Sequence, residues 1–277
     1  METNRKKFIL VGVIILALCA AITGFFYSRN KIRPKSPGDE MLRSSTLVQL
    51  SESFLSIGAA AERISIENAE PVVRSYSEDR THFIIENFPC VKQLPELPTG
   101  CEITSLCTVL NFYGFSIDKV TLSNAYMKKI PVGSDYPTVG FWGDPTENGT
   151  NGCYAPVISD AANKFFTENG ASYAAVNLTG TDLSRLLLFL DRNQPLILWT
   201  TTGLQQPTKA GSFTMPDGKQ FSWYMPFHCV VVYGYDLEEG LLYAADPLSG
   251  PVTYDYSLFQ KRYSQMGSQA VLCYPIR

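Results

Sequence analysis

The apolar and polar positions divide this chain into an apolar leader, a stalk and a patterned body. Phe8 to Tyr27 carries no charged residue, and a run of that length crosses a bilayer as a helix. The pattern predicts a short basic tail at 1–7, with Arg5, Lys6 and Lys7, and a transmembrane signal anchor at 8–27. The alternative is a cleaved signal peptide, because Cys19-Ala20-Ala21 offers small residues to a peptidase. Arg29, Lys31, Arg33 and Lys35 follow the span, so the positive-inside count is near a tie. A short tail ahead of an apolar segment is the layout of an export signal, and this puts the body outside the membrane. Residues 28–87 read as linker and partly helical stalk. Pro34 to Asp39 has linker composition, and Leu47, Leu50, Phe54, Ile57, Ala61 and Ile64 form a stripe at alternating spacings of three and four. Such a stripe packs on the body or, as the lesser alternative, lets two copies self-associate weakly.

The body, 88–277, is long enough for one domain. Val91 to Pro98 reads as a stiff arm, held extended by Pro95 and Pro98. It runs into a helix with apolar residues at Ile103, Leu106, Val109, Leu110 and Tyr113 and a stop at Gly114. Thr99 and Glu102 fit a capping box at its start. Further helices are expected at 118–129, 156–170, 182–193 and 256–266. Strands are expected at 82–86, leading into the arm, and at 172–177, 195–202, 228–235, 241–246, 251–255 and 269–274, with a polar loop over 203–223. Mostly helices, then mostly strands, means α+β with an antiparallel sheet or half-barrel.

Chemistry enters at four positions. Cys101 falls in the first turn of a buried helix, where the positive end of the macrodipole favours a thiolate. Gln93 on the arm can fold back so that its amide joins the Cys101 N–H as an oxyanion hole. His228 opens one strand and Asp246 closes its hairpin partner. A five-residue turn at 236–240 pairs Tyr235 with Leu241, brings Asp246 opposite Val230, and leaves His228 and Asp246 as diagonal neighbours on one face. A one-residue slip would separate them. A nucleophile, a base and an orienting acid in that arrangement hydrolyse amides. The plainer readings are a core cysteine, a hydrogen-bonded core histidine and an Asp-Pro turn; the four residues together favour catalysis. On that reading Asp246→Ala costs rate more than folding. The long Gly-rich loop 140–154 supplies Trp142, Gly152 and Tyr154 as a substrate-binding wall. His82 is read as structural.

Gln93, Gly100-Cys101-Glu102, the block from Gly143-Asp144-Pro145 to Gly152-Cys153-Tyr154-Ala155-Pro156, His228-Cys229-Val230-Val231 and Ala245-Asp246-Pro247 resemble the papain-fold cysteine peptidases related to bacteriocin-processing, double-glycine-leader peptidases. The similarity is to their stand-alone, often exported bacterial branch and runs from about 88 to 274. The resemblance implies a papain-like fold with Cys101 as nucleophile, His228 as base, Asp246 as its orienter and Gln93 in the oxyanion hole. It also implies a peptide or protein substrate and no cofactor. Two further readings keep the same fold: a catalytically inactive peptide-binding module, and a cell-wall amide hydrolase or acyl transferase. With one hydrophobic span and no Walker motif, leader processing coupled to export is not expected.

Charge and cysteines narrow the classes. The net charge is −3, but seven Lys/Arg and only Glu2 fall in the first 35 residues, leaving 16 basic against 25 acidic residues, about −9. So acidic a body does not suit nucleic acid. With two histidines and no CxxC pair, a zinc site is not expected. Cys107, Cys229 and Cys273 lie on apolar elements and read as core.

Overall fold

The computed structural model describes residues 80–276; the anchor at 8–27, the stripe of 47–64 and the first part of the stalk lie outside the described residues. The sheet grows around the β-branched run Val230-Val231-Val232, which is buried on both sides. This run sits in strand β8 (Phe227–Asp236), which pairs on one side with β9 (Leu241–Asp246) and on the other with β5 (Leu196–Thr201). Together with β1 (His82–Ile84), β4 (Tyr173–Asn177), β10 (Gly250–Asp255) and β11 (Ala270–Pro275) these form a seven-stranded sheet. Its order is β10-β9-β8-β5-β11-β4, and β1 adds to the far half of β8. Every pairing in it is antiparallel. The sheet thus takes in residues ahead of Phe88, and His82 joins Asp236 at 3.1 Å across the β1–β8 pair.

Side chains alternate between the two faces of the sheet. Ile197, Trp199, Cys229, Val231 and Val271 pack with the helices α1 (Cys101–Phe112) and α3 (Ala155–Glu168). Leu196, Leu198, Val230, Val232 and Leu272 pack with α4 (Leu183–Leu190) and α5 (Tyr256–Gln265). The remaining helix, α2 (Lys119–Tyr126), is capped by Asp118, whose carboxylate accepts from the Val120 and Thr121 amides; it ends before Lys128 and Lys129, so the basic last turn expected at 118–129 is absent. Lys129 instead starts the short parallel pair of β2 (Lys129–Ile130) with β3 (Phe141–Trp142). The α+β expectation with an antiparallel sheet holds.

One stretch expected as polar loop is structured. Residues 203–223 contain β6 (Thr208–Thr214) and part of β7 (Gln220–Met225), an antiparallel hairpin. A bulge between Lys209 and Gly211 breaks the alternation that would have shown it. Its inward Phe213, Phe221 and Trp223 meet Trp142, with ring centroids 4.8, 5.5 and 5.4 Å away.

Candidate active site

α1 is buried nearly all round, from Cys101 to Leu110, with Cys101 keeping 6% of its surface exposed, so whatever it presents at its N-terminus is held in place. The expected capping box does not form. Gly100 is the N-cap and no side chain caps the helix. The Thr99 hydroxyl bonds the Pro145 and Glu147 carbonyls instead, stapling the Gly-rich loop to the helix start. Glu102 is thereby free for another use. Its Oε1 accepts the Cys153 amide at 2.7 Å, and its Oε2 accepts the Cys101 thiol at 3.3 Å.

The arm is not extended as expected but turns at 94–96. Leu97 N–H bonds Gln93 O, Val91 N–H bonds the Thr108 hydroxyl on α1, and the Lys119 ammonium bonds the Lys92 carbonyl and pairs with Glu96 at 2.6 Å. Gln93 is buried, with Nε2 donating to Pro98 O at 2.9 Å and Oε1 without a partner. Only one of the two amide hydrogens is committed by that bond. The Gln93 N–H reaches Pro247 O, next to Asp246, at 2.9 Å.

His228 and Asp246 meet. Nε2 lies 3.0 Å from Oδ1, both side chains almost wholly buried, although the N–H is not aimed along that line and makes no directed hydrogen bond. The register behind this contact differs from expectation twice, and the differences cancel. The turn is 237–240, one residue shorter, with Asp236 opposite Leu241, and a bulge at Tyr233 then shifts the pairing so that Val231 faces Ala245. One step on, Asp246 falls level with Val230, and the parity is restored. Asp246 also accepts from the Leu248 and Ser249 amides at 2.7 and 3.1 Å and from the Tyr254 hydroxyl at 2.7 Å. Burial alone would raise its pKa; His228, Tyr254 and Ser249 outweigh it and hold the carboxyl well below the usual range.

Cys101 is tied to the same place through the backbone: the Cys229 amide, one residue from His228, faces its sulfur, and Ser105 Oγ donates to Cys229 O. The thiol does not have the lowered pKa expected of a helix N-terminus. Burial first, and the charge of Glu102 next, push it well above the ordinary value, and the macrodipole is too small to offset that. Contacts thus join Pro247 to Gln93, Gln93 to Pro98, Cys101 to the Cys229 backbone and His228 to Asp246. The remaining links are the chain itself, and the side-chain partner of the Cys101 thiol is Glu102 and not His228.

The loop residues fare differently. Trp142 is fully buried, its indole N–H on Asp135 O, so it faces core and not solvent. Gly152 has φ +136° and carries the bond from Trp142 N–H to its carbonyl. A Cβ there would collide with Glu102 Oε1 and with Phe227, so only glycine admits the glutamate. Tyr154 is half-buried, stacks on Trp223 at 6.0 Å and meets Phe227, the residue before His228, at a tilt with centroids 5.9 Å apart. Among the described residues no group of three His, Cys, Asp or Glu is placed to hold a metal ion.

Two residues of this site escaped the sequence reading. Glu102 was assigned to a cap; the signal was a carboxylate within a helix otherwise buried all round. Tyr254 sits opposite Leu242 on β10 and is visible only once three strands are in register.

Comparison with known proteins follows these elements. The model of the Peptidase_C39 like family matches residues 85–271. The uncharacterized protein YvpB of Bacillus subtilis (strain 168) is 31% identical over 184 residues, 64% of this chain and 70% of that protein. A crystal structure from Bacillus anthracis, provisionally classed as a C39-like peptidase, superposes with TM-score 0.62 at 30% identity, over 70% of this chain and 98% of that one. A remoter likeness, 16% identical with TM-score 0.40, is to the peptidase domain of Streptococcus ComA, covering 69% of this chain and 99% of that domain.

Proposed function

The chain belongs to the Peptidase_C39 like family, and from that premise we infer that it is a cysteine peptidase of papain-like architecture acting on a peptide or protein. The observation that carries the reading is the buried contact of His228 Nε2 with Asp246 Oδ1 at 3.0 Å. A histidine and an aspartate sealed together are costly unless the pair has work to do. With Nε2 toward the carboxylate, Nδ1 is the ring nitrogen left for a proton from sulfur. In this reading His228 takes the Cys101 proton as the thiol attacks the carbonyl carbon, and Asp246 stabilises the imidazolium. Because the thiol's pKa is raised, the thiolate forms during attack instead of standing preformed. The oxyanion is held by the second Gln93 amide hydrogen and by the Cys101 N–H, which as the first helical residue has no intrahelical acceptor. Imidazolium then protonates the leaving amine, and water cleaves the thioester. Tyr154 and the Gly152 backbone are the substrate-binding positions; the burial of Trp142 makes it their support. The apolar run 8–27 supports a single-pass anchor with this body outside the membrane.

The test is a peptide-library cleavage profile of the full chain against Cys101→Ala, with a thiol-reactive probe on both. Cleavage and Cys101 labelling that disappear in Cys101→Ala, with labelling lost in His228→Ala, are expected. Labelling without cleavage of peptides, but with release of products from muropeptides, would replace peptidase by wall amidase. Absence of both would leave a silent binding module.

A further inference from the structure

The mechanism above makes no use of the carboxyl nearest the nucleophile. Glu102 is fully buried, and both its oxygens are engaged: Oε2 with the Cys101 thiol, Oε1 with the Cys153 amide. The Cys153 carbonyl is fixed in turn by the Trp199 indole N–H at 2.8 Å. Gly152 has no side chain where one would strike Oε1. Among the described residues no lysine, arginine or histidine pairs with this carboxyl; the ionisable groups facing it are the thiols of Cys101 on its own helix, Cys153 on the loop before α3 and Cys229 on β8. A carboxyl sealed among thiols, in a slot shaped for it, is not there for folding alone, since an apolar side chain of the same size is cheaper to bury.

We propose that Glu102 is a positioning residue that controls the protonation of the nucleophile, holding Cys101 as a thiol while it is ionised and releasing it when it takes up a proton. The proposal rests on reading Cys101 as the nucleophile. When Glu102 is ionised, the S–H donates to Oε2 and the proton stays on sulfur. When Glu102 is neutral, its O–H becomes the donor and sulfur is the acceptor, which favours thiolate. The switch falls in a usable range: burial, only partly offset by the Cys153 amide, pushes the carboxyl up to about 7. The other oxygen ties this state to the loop 143–153, so a ligand that shifts the Cys153 amide would also shift the thiol.

The experiment is the pH profile of Cys101 alkylation by iodoacetamide in the full chain, read by mass spectrometry, for wild type and Glu102→Gln. Glutamine keeps an oxygen for the Cys153 amide and removes the charge. The thiol's midpoint is expected to fall by about one unit, so alkylation at neutral pH rises about tenfold. A purely structural Glu102 would leave the two profiles superimposed, and that result overturns the proposal. Difference infrared spectra read the carboxyl itself and do not depend on the Glu102→Gln variant folding. A protonated carboxyl band persisting to neutral pH and shifting upward in Cys101→Ala supports the assignment; its absence overturns it. Alkylation reads the sulfur without any peptide turnover. A failure of the peptidase reading therefore shows as lost cleavage with the Glu102 effect intact.

Discussion

Asp246 and Glu102 are two carboxyl groups sealed inside the same body, exposed by 1% and 0%, and their surroundings drive them in opposite directions. Burial is the largest influence on each, and in each it raises the pKa. The difference lies in donors. Asp246 has the His228 ring, two backbone amides and the Tyr254 hydroxyl around it, and stays ionised. Glu102 has one amide and a thiol, and moves to about 7. Equal burial therefore does not mean equal chemistry: the count and charge of the donors decide which carboxyl is a fixed anion and which can exchange a proton near neutrality.

The strongest way to break this contrast is to neutralise the fixed anion. Asp246→Asn keeps an oxygen for the Leu248 and Ser249 amides but removes the charge facing His228, and kcat/KM for peptide cleavage should fall by about 10³-fold or more. A wild-type rate in that variant would show that His228 needs no anion. Asp246→Ala goes further, leaving two amides and a phenol without their acceptor. It should therefore lower stability in urea by about 2–5 kcal/mol as well, which revises the expectation that this substitution costs rate more than folding.

On the other carboxyl the larger effect is on folding. Glu102→Ala strands the buried Cys153 N–H and should cost about 1–3 kcal/mol in chemical denaturation, whereas Glu102→Gln should cost little. Equal losses in the two variants would mean that the amide tie contributes nothing.

This contrast also marks what could be read from the residues in order. Period-two alternation over 228–235 and 241–246 was enough to bring His228 to Asp246, because a buried strand tolerates only one parity. The short turn and the bulge at Tyr233 were invisible, since β8 is buried on both faces and has no polar alternation for a bulge to disturb. Glu102 was misassigned because Thr99 and Glu102 satisfy a local motif, while the actual competition was tertiary: the loop carbonyls took the threonine and the Cys153 amide took the glutamate. The β6–β7 hairpin was legible in Pro216-Asp217-Gly218, a turn signal between Phe213 and Phe221, but the bulge near Gly211 concealed its first strand. Trp142 looked like a pocket wall because a long loop was assumed to be open; the hairpin covers it.

A pH series separates the two carboxyls by the sign of their contribution. The Asp246 pKa is depressed on folding, so its stabilisation is present above the ordinary carboxylate value and is lost as pH falls toward the folded value. Glu102 is raised, so the folded chain holds its proton more firmly than the unfolded chain, and stability declines as pH rises from 4.5 to about 7, then levels. Melting temperatures of Glu102→Gln should gain on wild type across that window and run parallel above it. A difference that grows on the acid side instead would mean that Glu102 is the depressed group.

The smallest change probes a single donor. Tyr254→Phe removes the hydroxyl that bonds Asp246 Oδ2 and leaves the His228 contact and both backbone amides in place. Burial and the neighbouring carboxylate keep that phenol protonated, so in the wild type it is a donor at every working pH. Its loss should cost about 1 kcal/mol in stability and let the Asp246 carboxyl rise, shifting the acid limb of the activity profile upward while the rate at neutral pH hardly moves. If the neutral-pH rate falls as far as in Asp246→Asn, the tyrosine and not the charge is what holds the imidazole, and the contrast between the two carboxyls would rest on one hydroxyl group.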